Sequence, residues 1–143
     1  MSRGLGDVYK RQGVYDPASA RVAAEAVLSM TKKLKAMEAP DAGNAASLAI
    51  YNNTFGRYVA IKEEEAQKTK KELLILWTDY FKPDHLATFP DLHDTFWKAA
   101  KLCSACKVNI DQAKAEELMA AVEKIHGMFW QSKGRSDSWV TAS

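Results

Sequence analysis

Residues 44–81 read NAASLAIYNNTFGRYVAIKEEEAQKTKKELLILWTDYF, 38 positions without a proline. Large or apolar side chains recur at Leu48, Tyr51, Phe55, Tyr58/Val59, Ala66, Leu73, Leu76/Trp77 and Tyr80. The intervals are threes and fours or their multiples, the period of one face of an α-helix. Between the two apolar ends lies Lys62–Glu72, a run of strong helix formers. Its charges suit a solvated face, with Glu64 and Lys68 forming a favourable i,i+4 pair. The stretch is the expected spine of a helical bundle. Asn52, Asn53 and Gly56 are weak helix formers, so a kink or break there is the one interruption to anticipate. Because the apolar period continues through them in phase, one long helix is the reading favoured over two.

Outward from the spine the same period returns three times. Asp16-Pro17 is a helix-start pair, and Ala20, Ala23, Val27, Met30, Leu34 and Met37 then repeat at 3,4 spacing. Ala39-Pro40-Asp41-Ala42-Gly43 stops that helix. Lys82-Pro83-Asp84-His85 ends the spine, and a connector is expected over 83–89. A third helix, beginning near Pro90, carries Leu92, Phe96, Ala99, Cys103 and Cys106 inward. Asn109 is the expected cap of a fourth helix, with Gln112 answering it three residues on. That helix presents Ile110, Ala113, Leu118, Val122, Ile125 and Met128/Phe129, and Gly134 suits its end. The fold class is therefore all-α: a four-helix antiparallel bundle, or five-helix if the spine breaks, with one long central helix. The bundle is placed at 13–134, with a polar tail at 135–143.

Residues 1–12 have neither helical period nor the apolar core of a signal peptide. They resemble the translated adapter read-through that begins many proteins assembled from environmental transcripts. They are expected to be a non-native or disordered leader, with the native N-terminus and any targeting peptide missing. That origin favours an intracellular, organellar setting, although the compartment itself is left open.

Composition narrows the function classes. The chain has 143 residues, 47% apolar and 27% charged, enough for a single domain with a real core. Twenty basic against eighteen acidic side chains leave a net charge of +2, with both signs interspersed, unlike a nucleic-acid binder. No apolar run approaches the roughly twenty residues of a membrane span.

Cys103-Ser104-Ala105-Cys106 is a Cys-x-x-Cys pair, which serves redox, zinc and haem sites in other settings. Here both thiols fall on the inward seam of the third helix, where small buried sulfurs pack well. The histidines (His85, His93, His126) lack paired ligand spacing, and Glu123–His126 is a single Glu-x-x-His where a di-metal bundle needs two. His126, flanked by Ile125, Met128, Phe129 and Trp130, is the best candidate for a lone metal or haem ligand. In helix pattern, and over residues 110–130 around His126, the chain resembles the four-helix haem bundles of the cytochrome c-prime type. That resemblance implies a haem held by His126, with Met30 across from it, for electron transfer or ligand binding. The family's Cys-x-x-Cys-His is not matched, since Lys107 stands where the His would be.

No nucleophile elbow, phosphate-binding glycine loop or His-Glu-x-x-His is present. Aromatic residues, by contrast, exceed what one seam buries. Phe96 and Trp97 are adjacent, Met128, Phe129 and Trp130 are consecutive, and Trp139 sits in the tail. Trp97, Phe129, Trp130 and Trp139 are accordingly the expected partner-binding residues. The resulting expectation is a noncatalytic accessory or structural subunit that docks to protein partners, with no enzyme activity, cofactor, metal or small-molecule substrate. The alternative is a metal- or haem-binding bundle using His126, with or without Cys103 and Cys106.

Overall fold

A computed structural model describes residues 15–142. Among them the regular structure is all helical, without strands. Helix α1 spans Ala18–Ala36 and α2 spans Ala45–Ile75, running on into a π-helical turn over Leu76–Tyr80. A short α3 covers His85–Thr88, α4 covers Leu92–Val108 and α5 covers Gln112–Ser132. The four long helices close a ring in which α1 packs on α2, α2 on α4, α4 on α5 and α5 back on α1. The expected all-α bundle is what the chain forms.

Local chemistry explains the boundaries. The Asn44 side chain accepts from the Ser47 amide at 3.1 Å and opens α2, satisfying one of the donors that a helix start leaves over. The helix then passes Asn52–Gly56 without a break, so the spine is single. Its irregularity lies at the other end, where the amide of Phe81 reaches back to the carbonyl of Leu76. Asn109 does not cap α5. It ends α4, and its side-chain amide donates to Ala105 O. Asp111 supplies the α5 cap by accepting from the Lys114 amide at 3.1 Å. The connector expected over 83–89 holds α3, and α4 opens at Leu92 rather than beside Pro90. Gly134 has φ +72°, which only glycine adopts cheaply, and lets the Arg135 amide reach Trp130 O at 3.0 Å.

The core is built from Ala20, Ala24 and Val27 of α1, Ala66, Leu73 and Leu76 of α2, Phe96, Ala99, Cys103 and Cys106 of α4, and Leu118, Val122, Ile125 and Phe129 of α5. Burying an aromatic such as Phe96 or Phe129 stabilises by about 1.5–3 kcal/mol. Alanines on α1 let α2 and α5 approach closely. The inward stripe of α1 includes Thr31 in place of Met30; its hydroxyl donates to Val27 O at 2.8 Å, which removes the cost of burial.

The charged run of α2 is not wholly a solvated face. Lys62, Thr69 and Glu72 are buried. The Lys62 ammonium donates to the carbonyls of Cys106 (2.5 Å), Lys107 (2.8 Å) and Asn109 (2.9 Å), closing the C-terminus of α4. A cation there meets the negative end of the helix. Glu72 accepts from the Ser19 hydroxyl at 2.7 Å, tying α2 to α1. Before Lys62, by contrast, α2 has no buried residue, and Ile50 is 70% exposed.

Candidate metal centre

The two thiols occupy the inward face of α4 and form part of the core. Burial pushes Cys103 up to about 12 and Cys106 up to about 11, because a thiolate there would lose its water. Each thiol also raises its neighbour or answers to a nearby cation: Cys106 adds to the shift of Cys103, while Lys62 offsets part of that of Cys106. Lys62 itself is held below the usual lysine range, again by burial. The cleft above Cys103 and Ser104 is lined by Lys70 and Lys107, and Lys70 donates to the Ser104 hydroxyl at 3.1 Å. The lysines of that cleft oppose a metal ion on the Cys103 side, while Asp111 and Glu117 lie near enough to Cys106 to add to its upward push.

The histidines are dispersed. His85 Nδ1 accepts from the Lys82 amide at 3.0 Å, and its ring lies against Tyr80 and Phe81. His93 Nδ1 accepts from the Trp77 indole at 2.9 Å. His126 Nε2 meets the Asp137 carbonyl at 3.0 Å, so that nitrogen carries the proton. The ligand role considered for His126 is therefore filled by the tail. Glu123 is not brought to it as part of a site, and among the described residues no three His, Cys, Asp or Glu side chains converge as a metal set.

Of the aromatic residues expected at a partner surface, Phe129 is fully buried in the protein's own core and contacts Tyr80 at 4.6 Å between ring centroids. Trp130 is half-covered by the Arg135 guanidinium, 4.6 Å from its ring. Trp139 folds back onto His126 at 5.3 Å. Trp97 alone of the four is mostly open, at 54% exposure, with Lys101 over its ring. The tail is mostly exposed but returns to the bundle at Trp139, and the Ala142 amide donates to the Glu25 carboxylate at 2.8 Å. No described helix is long and apolar enough to cross a membrane.

The end of the bundle at which the described chain enters is the aromatic end. Tyr15 lies 5.7 Å from Tyr80, which contacts Phe81 and Phe129, while Trp77 stacks on Phe96 at 5.8 Å. The Tyr80 and Ser132 hydroxyls are 2.6 Å apart.

The profile of a known family, described as nickel-containing superoxide dismutase, matches residues 12–133. The chain belongs to the nickel-containing superoxide dismutase family. A protein named Superoxide dismutase [Ni] from Streptomyces seoulensis is 36% identical over 85% of this chain and 83% of its own length. One of the same name from Streptomyces coelicolor is 33% identical over the same shares. A crystal structure of a nickel superoxide dismutase variant superposes with a TM-score of 0.74 at 33% identity, covering 85% of this chain and 94% of that one. An apo structure of nickel superoxide dismutase gives 0.73 at 32% identity.

These findings overturn the noncatalytic docking subunit as the function. Its grounds were the absence of a catalytic constellation and a surplus of aromatic residues. The surplus is largely consumed by the fold, and the relatives are oxidoreductases by name. The metal-binding alternative is nearer to the family, although its haem version is not what the family is described as holding. The nickel itself fits poorly. Nickel that works between two oxidation states needs anionic or imidazole donors gathered around one point, and the described residues gather none.

Proposed function

We propose that this protein serves superoxide disproportionation. One superoxide gives up its electron and leaves as O2; a second takes that electron with two protons and leaves as H2O2. The observation that carries the reading is the family match over residues 12–133, with the bundle superposing on nickel superoxide dismutases. On this reading the bundle is the scaffold of the enzyme.

The test uses a hybrid in which residues 1–11, ahead of the matched region, are replaced by the segment preceding that region in the Streptomyces seoulensis relative. The hybrid is supplied with nickel, and superoxide decay is followed by stopped flow alongside the metal content. Decay that accelerates in proportion to bound nickel is the expected result. A folded, nickel-loaded hybrid that leaves superoxide untouched would sink the reading.

A second element concerns partners. Open apolar side chains at Trp97 and Ile50, 54% and 70% exposed, support burial against another protein surface. Light scattering on the same preparations reads this directly, and a monomer at all concentrations with no partner retained is the contrary result.

A further inference from the structure

We infer that the 143-residue chain, as its sequence stands, folds as a nickel-free bundle, because every thiol and imidazole it owns is committed to the fold or isolated from the others. The inference goes beyond the proposed function and takes from the family only the choice of metal.

The inventory is short. The chain has two cysteines and three histidines, all of them among the described residues. Both cysteines are 1% exposed. They sit three residues apart on α4, with the Lys62 ammonium bonded to the carbonyl of Cys106 itself. A divalent ion at these sulfurs would have to displace two protons from groups that hold them more tightly than a free thiol does. It would also have to settle beside a buried ammonium and enter through a cleft lined by Lys70 and Lys107. Each of those terms opposes binding, and among the described residues no three His, Cys, Asp or Glu side chains gather to compensate. His126 is held by the tail carbonyl, His93 by the Trp77 indole and His85 by the Lys82 amide. Residues 1–14 contribute neither cysteine nor histidine. Nickel is thus denied both the thiolates and the grouped imidazoles that would bind it tightly.

The same geometry says what would release the thiols. They are shielded by packing against α2 and α5, so unfolding exposes them, and the unfolded chain then offers two Cys-x-x-Cys sulfurs to a metal or a thiol reagent.

The experiment uses the untagged full chain. It is incubated with excess nickel chloride and desalted. Nickel is then measured by mass spectrometry, the near-ultraviolet is scanned for a thiolate-to-nickel charge-transfer band, and thiols are titrated with Ellman's reagent with and without urea. The expected outcome is nickel below about 0.1 per chain, no band, and thiols that react only when the chain is unfolded. Stoichiometric nickel with a band lost in Cys103→Ser or Cys106→Ser would overturn the inference. So would stoichiometric nickel that survives both substitutions, since a donor set would then exist elsewhere in the chain. The hybrid described above keeps the two readings apart. A nickel-bound active hybrid beside a nickel-free parent supports both, whereas an inert loaded hybrid removes the superoxide reading and leaves this one standing.

Discussion

Replacing Lys62 with methionine isolates the cap that α2 places on α4. Methionine keeps much of the apolar stem and removes the ammonium. In the native protein that ammonium serves three carbonyls at the end of α4, those of Cys106, Lys107 and Asn109. The Cys106 carbonyl is buried, so losing its donor costs about 1–3 kcal/mol. The other two are only partly buried, and water replaces the lost partner at small cost. Against this stands relief from burying an ammonium, whose pKa burial already depresses. A buried charge removed from its partners does not return their full interaction energy, so a net loss of about 2 kcal/mol is expected. Urea unfolding followed by circular dichroism should show a midpoint lowered by about 1 M with unchanged slope. Lys70→Met, on the partly exposed side of the same helix, should move stability by less than about 0.5 kcal/mol. Hydrogen exchange should quicken selectively in the last turn of α4. If Lys62→Met unfolds within about 0.5 kcal/mol of the parent, the cap reasoning is wrong and the three bonds contribute nothing net.

Two further outcomes follow from the same structure. The thiols of Cys103 and Cys106 are raised in the folded state from an ordinary value of 9.0. Their contribution is therefore complete below pH about 9 and is lost as pH rises from there, toward about 11 for Cys106 and about 12 for Cys103, by up to about 1.4 kcal/mol per unit for each thiol. The Cys103→Ala/Cys106→Ala double variant should lose stability less steeply over that range than the parent, and parallel profiles would refute the assignment. For the tail, Trp139→Ala removes a ring packed 5.3 Å from His126; a loss of about 1–2 kcal/mol is expected, read as a lower melting temperature. Cleavage of residues 134–142 by limited proteolysis should also accelerate, and a tail equally resistant in the variant would mean that the indole does not hold it.

The periodic helices were plain from sequence, and so were several of their ends, because they depend on contacts within a turn or two. Asn44 caps α2 with a residue three positions on, and Gly134 supplies the left-handed turn after α5. The cap of α5 was misassigned to Asn109 for an equally local reason: Asn109 and Asp111 both suit the position, and the geometry at the end of α4 chooses between them. The Lys62–Glu72 run looked uniformly solvated, since nothing nearby in sequence signals that the C-terminus of α4 arrives at Lys62. The partner-facing reading of Phe129, Trp130 and Trp139 failed at Phe129, where core space is available, and weakened at the other two, where the tail returns. The family was not legible as chemistry. Its name specifies nickel, and the chain's cysteines and histidines form no pattern that announces a nickel site.

Periodicity, capping residues and glycine placement were therefore enough to specify the long helices and their order, since each acts over a few residues and is largely independent of the rest. Which lysine is buried, where the indoles go, and that the thiols are packed were settled by helices separated widely in sequence meeting in space. Lys62 and Cys106 are 44 residues apart, and Ala142 and Glu25 are 117 apart. Burial and its consequences for charge belong to the assembled bundle, because desolvation exists only once the neighbouring helices have displaced the water.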